Sequence, residues 1–71
     1  MKTFRIHYHL YDARSKKHLN ERQLAELSGI SKSEINAIEN QSANPTVTTI
    51  CLLSLALGVA PHSLFSMEII D

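Results

Sequence analysis

This sequence predicts an all-α fold of five helices, with a small two-stranded β-ribbon formed by the N- and C-terminal segments. Three observations carry that expectation. The stretch from Asn20 to Glu39 reads as two short helices broken at Ser28-Gly29-Ile30-Ser31. A longer apolar helix is bounded by Pro45 and Gly58. The two chain ends alternate apolar and polar residues, as half-buried strands do.

From Thr3 to Tyr8, Phe4, Ile6 and Tyr8 share one side, and Thr3, Arg5 and His7 the other. The first helix is expected over Tyr8 to Lys17, with Leu10 and Ala13 inward. Asn20 then offers a side-chain oxygen to a free amide of the second helix. Leu24 and Leu27, three residues apart, are placed on one face beside Ala25. Gly29 supplies the left-handed residue that ends this helix. Ile30 is an apolar plug inside the turn. Ser31 caps the third helix, with Glu34 three residues on as a capping box. Ile35 and Ile38 point inward, leaving Lys32, Ser33, Asn36 and Ala37 outside.

Pro45 disfavours helix at Asn44, so the fourth helix is expected from Thr46 to Leu57, with Val47, Ile50, Leu53 and Leu57 inward. Gly58 stops it, and Pro61 opens a fifth helix, from which Leu64 and Phe65 fill the core. Ser66 to Ile70 is a terminal strand whose simplest partner is Thr3 to Tyr8. A lone ribbon is marginal, so it is expected to lie on the first and fifth helices.

Seventy-one residues make one small domain, residues 1–71, with no room for a second, sensing domain. No run is long enough to cross a membrane and no signal peptide opens the chain, so the expected setting is the cytoplasm. The single Cys51, inside an apolar helix, is expected as a buried thiol. Formal net charge is zero, but the charges are segregated. All seven cations lie within the first 32 residues against three acids, a net +4; Glu34, Glu39, Glu68 and Asp71 leave −4 for the rest. Such asymmetry can turn one face to a polyanion.

Spacing sharpens the reading of residues 20–40. Counting Glu21 as the first position, Ala is fifth, Gly ninth, and Ile tenth, fifteenth and eighteenth. This pattern resembles the Cro/C1-type (lambda-repressor-like) helix-turn-helix family. The resemblance runs on through Asn44-Pro45, Thr49-Ile50 and Leu57-Gly58-Val59 to Leu64-Phe65, covering Leu10 to Phe65.

The resemblance implies a DNA-binding transcriptional regulator, a repressor acting by operator occupancy on double-stranded DNA. Its third helix would enter the major groove. By position, Lys32, Ser33 and Ala37 take base-reading places. Lys32 suits either guanine or a phosphate, Asn36 either adenine or a phosphate, and Ala37 at most a thymine methyl. Ser31 opens that helix. Asn20 and Asn40 match phosphate contacts, as Arg22 and Gln23 do if they replace Glu21, which stands where relatives carry glutamine. Arg14 and Glu39 match a structural pair that ties the first helix to the third. Gln41 and His18 stand where relatives carry glycine, and Asn40 is expected to take the left-handed cap instead of Gln41.

Leu52 and Leu55 widen the fourth helix's apolar surface where relatives are polar, which asks for a second cover. Either the ribbon supplies it, or the chain is a homodimer through Leu52 and Leu55. A second functional reading uses the same surface: a protein-interaction module, such as an antitoxin-like partner of another protein. His7, His9, His18 and His62 with Cys51 lack metal-ligand spacing, so no metal and no cofactor are expected. No phosphate loop, nucleophile motif or carboxylate pair suggests an enzyme.

Overall fold

The computed structural model describes residues 2–70, so Met1 and the acid Asp71 lie outside the description. In chain order the elements are β1 (Phe4–Tyr8), α1 (Leu10–Lys16), α2 (Glu21–Ser28), α3 (Lys32–Glu39), α4 (Val47–Leu57), a 3-10 turn (Pro61–Leu64) and β2 (Phe65–Ile69). Among the described residues there are therefore four α-helices. The expected fifth helix is one tight turn, because the chain re-enters extended backbone at Phe65 only four residues after Pro61.

Local chemistry sets most boundaries. Asn20 accepts from the Gln23 amide at 2.8 Å, and the Gln23 side chain accepts from the Asn20 amide at 2.8 Å, a reciprocal cap. Ser31 accepts from Glu34 N at 3.1 Å, and Thr46 from Thr49 N at 3.1 Å. Gly29 and Gly58 end their helices in the left-handed region, with φ of 78° and 68°. The left-handed residue after α3 is not Asn40, whose φ is −87°, but Gln41, at φ 61°. Gln41 is held there by a double hydrogen bond. It accepts from Tyr8 N at 2.8 Å and donates to Tyr8 O at 2.9 Å, tying β1 to the end of α3.

Leu10, Leu24, Ile35, Ile38, Ile50, Leu53, Leu57 and Leu64 form the core, with Ala13, Ala25 and Ile30 packed against it. Two expected core residues, Val47 and Phe65, are instead exposed, and Leu27 does not share the buried face of Leu24. The buried stripe of α2 runs through Leu24 and Ser28. At about 100° per residue, Leu27 falls roughly 100° from the middle of a stripe made by Leu24, Ala25 and Ser28. Val47 stands in the uncovered first turn of α4, 80% exposed. Cys51 is half-buried rather than enclosed. Ser54 fills the remaining core position of α4, donating to Cys51 O at 2.8 Å.

The ribbon is antiparallel, with Phe4↔Ile69, Arg5↔Glu68, Ile6↔Met67, His7↔Ser66 and Tyr8↔Phe65 in register. It does not lie along α1. Its root is held by His9 N donating to Leu64 O (2.9 Å), by Gln41 and by Tyr8 Oη donating to Asn44 (3.2 Å). Its far end, with Phe4, Met67 and Ile69, is exposed. The molecule is correspondingly long, 41 × 21 × 20 Å. Leu52 and Leu55 stay exposed, so the ribbon does not supply their cover.

Candidate nucleic-acid interface

The exposed surface of α3 carries Lys32 and Ser33 in its first turn, then Asn36, and Asn40 at its exit. They follow the helix repeat: Lys32, Asn36 and Asn40 are four residues apart and form one row. Ser31 Oγ is engaged as the cap acceptor, but its hydroxyl proton is not used by that bond. Ala37 is half-buried beside the turn after α3, where its carbonyl accepts from both the amide and hydroxyl of Ser42. It is the least available of the expected base-reading residues.

The Asn36 amide is already oriented. Its Nδ2 donates to Glu21 Oε2 at 3.2 Å, and its Oδ1 accepts from Asn40 Nδ2 at 3.1 Å. Each bond leaves capacity over: Asn36 retains a second N–H and a second lone pair. The sequence reading missed this network. Its signal was the glutamate at the first position of the motif, fifteen residues ahead of an asparagine on the outer face of α3.

Beside this row, α2 begins with exposed Arg22 and Gln23. In the Asn20–Gln23 cap both side chains use their oxygens, so both amide NH2 groups take no part in it. They are donors at the end of a helix whose free amides also favour an anion. A depression of about 440 Å³ joins the two helix starts and is lined by Arg14, Asn20, Glu21, Arg22 and Lys32. Arg14 is paired with Glu39 beneath it, so Arg22 and Lys32 against Glu21 give the depression its positive balance.

Arg14 and Glu39 form the expected lock below that surface. Arg14 Nε donates to Glu39 Oε2 at 2.6 Å, Nη2 to Oε1 at 2.8 Å, and Nη1 to Leu19 O at 2.8 Å. The side chains are 12% and 6% exposed. The Glu39 hydrogen bond is the main reason the Arg14 pKa is raised above its ordinary value, so the guanidinium stays charged. Arg14 also lies 5.2 Å from the centre of the Tyr11 ring. All three guanidinium nitrogens are thus occupied, and Arg14 fixes α1 to α3 rather than reaching outward. His18, in the α1–α2 loop, takes the left-handed conformation (φ 57°) that glycine would take most cheaply.

Among the described residues no three His, Cys, Asp or Glu side chains gather as a metal site would need, and no helix is long and apolar enough to cross a membrane.

A helical pair with a capped, outward-facing second member and a buried lock behind it defines a helix-turn-helix domain. The family profile described as Helix-turn-helix matches residues 10–64, and the chain belongs to that Cro/C1-type family of DNA-binding regulators. Two solved structures are similar. One is the restriction-modification controller protein C.AhdI from Aeromonas hydrophila, 32% identical over 75% of this chain and 80% of that one, with a TM-score of 0.72. The other is an HTH_3 family transcriptional regulator from Vibrio cholerae, 27% identical, with a TM-score of 0.71. It aligns over 73% of this chain, which spans only 29% of that protein. A search of curated proteins returns no match.

Proposed function

We propose that this chain is a sequence-specific double-stranded DNA-binding repressor that acts by occupying its operator. The observation that carries the reading is the free leading end of α3, with Lys32, Ser33 and Asn36 all exposed beside the start of α2. Lys32, Ser33 and Asn36 would read base edges. Ser31, Asn20, Arg22, Gln23 and Asn40 would set register on phosphates, and Ala37 would contribute at most an apolar contact. The active form would be a homodimer through the exposed Leu52 and Leu55 of α4, working in the cytoplasm on a two-fold site with half-sites about 10 base pairs apart. The similarity to a restriction-modification controller protein and to a transcriptional regulator supports a regulatory role.

One observation favours a second reading. The apolar outer face of α4 would also suit an antitoxin-like protein-interaction module. Fluorescence anisotropy with random duplexes at low salt separates the two. The repressor reading expects measurable non-specific binding that weakens steeply with salt. No binding under those conditions contradicts it.

A further inference from the structure

We propose that the ribbon and the outer face of α4 form one continuous apolar strip that seats a second copy of this chain, each ribbon lying along the partner's α4. This deepens the homodimer reading above and rests on it.

The register of the ribbon sorts its side chains cleanly. Phe4 with Ile69, Ile6 with Met67 and Tyr8 with Phe65 stack on one face. The other face carries Arg5 with Glu68 and His7 with Ser66, and there His7 Nε2 meets Glu68 Oε1 at 3.0 Å. The polar face is made for water. The apolar face is open beyond its root, with Phe4 59% and Met67 61% exposed.

That face runs into a groove of about 430 Å³ at the base of the ribbon. It is lined by Ile6 and Phe65 of the ribbon, Val47 and Cys51 of α4, and Pro61 and His62 of the turn between them. Leu55, 78% exposed, stands one turn beyond Cys51 and carries the strip along α4. Helix α4, VTTICLLSLAL, contains no charged residue. A projecting apolar arm and an apolar groove at its foot are complementary to each other. Within one chain only the root of the arm meets the groove and its far end stays exposed, but two chains related by a two-fold axis can seat both far ends at once.

Area and charge choose the occupant. Phe4, Met67, Ile69, Phe65, Val47, Leu52 and Leu55 are each between two-fifths and four-fifths exposed. With large side chains presenting on the order of 150–200 Å² when open, the strip offers roughly 700 Å². That exceeds the few hundred Å² a monomer usually leaves bare and approaches the ~800 Å² per partner of a stable interface. With no charge along α4, nothing on that helix would select an acidic or basic partner. A second copy supplies the same uncharged surface at the same concentration. The strip shares no residue with the Lys32–Asn36–Asn40 row, so such a dimer leaves α3 free.

Sedimentation velocity of the full chain over a wide micromolar range tests this. Wild type is expected to approach twice the monomer mass. Met67→Glu and Phe4→Glu are expected to raise the dimer dissociation constant at least tenfold, with helical content unchanged by circular dichroism. Leu27→Glu, an equally exposed position off the strip, is expected to leave it unchanged. Cys51 alkylation by a maleimide should slow as wild type is concentrated, and should not in Met67→Glu. A dimer that Leu55→Glu disrupts but both ribbon variants leave intact overturns the arm exchange and keeps the homodimer. A monomer at every concentration overturns both. A monomer whose Cys51 becomes protected only on adding a different protein assigns the strip to that protein and overturns the proposal. Each variant's binding to a half-site duplex reports separately on the DNA-binding reading.

Discussion

Glu21, the first residue of α2, accepts a hydrogen bond from Asn36, in the middle of α3, at 3.2 Å. The bond crosses the turn and fixes an amide on the surface that would face DNA, while Asn40 holds the same amide from the other side at 3.1 Å. It also brings a carboxylate to a position where a phosphate would pass. One side chain therefore orders the amide and would repel a phosphate.

Glu21→Gln keeps an acceptor for Asn36 and removes the charge. The expected result is tighter DNA binding by about 1 kcal/mol, roughly fivefold, with base preference unchanged and the gain shrinking in high salt. Glu21→Ala relieves the same repulsion but releases Asn36, so base preference should broaden. Anisotropy titrations against matched and mismatched duplexes at two salt concentrations check both.

Lys32→Ala removes the cation at the leading end of α3. Binding should weaken. If Lys32 reads guanine, discrimination at one base pair should fall by about 1–3 kcal/mol; if it holds a phosphate, all sequences should weaken alike. Equal affinity and equal preference in the variant would show that the base-reading residues lie elsewhere.

With about four phosphates neutralised, log affinity should fall with log salt at a slope near −3.6. A slope near zero would mean that the cations of the first 32 residues face away from the duplex.

Arg14→Ala leaves Glu39 largely buried and unpaired. Breaking one partner of such a pair costs about 3–5 kcal/mol, against a total of about 4–11 kcal/mol for a domain of 71 residues. Urea denaturation should show the loss. Arg14→Lys should rescue only part of it, because an ammonium cannot reproduce the two-point contact with Glu39 together with the bond to Leu19 O.

Glu68 titrates below its ordinary value, chiefly through its hydrogen bond to His7. A carboxyl whose folded pKa is depressed adds stability above its unfolded pKa, and that contribution is lost as pH falls through the folded value. The ribbon should therefore loosen in acid, below the usual carboxylate range. NMR titration of the Glu68 carboxyl should give a midpoint that rises towards the ordinary value in His7→Phe.

The central motif was legible because its determinants are local. Asn20, Gly29 and Ser31 each act within a few residues, and the structure places the three as their chemistry requires. The Arg14–Glu39 lock was legible only through the family resemblance, since 25 residues separate the partners. What escaped depends on coverage in three dimensions. Leu27 and Val47 have the helical spacing of core residues but nothing lies over them. Gln41 looked like a misplaced glycine, yet its side chain clamps Tyr8, 33 residues away. The ribbon's two strands and their pairing followed from alternation, while its register and its projection from the body did not. Alternation gives a strand two faces and does not say which element, or which chain, covers the apolar one.

The most direct measurement is selection of bound duplexes from a random pool by the purified protein, followed by sequencing. The account predicts enrichment of an inverted repeat with half-sites about 10 base pairs apart, and an altered or lost preference within each half-site for Lys32→Ala. A pool that emerges with no enriched sequence would contradict it.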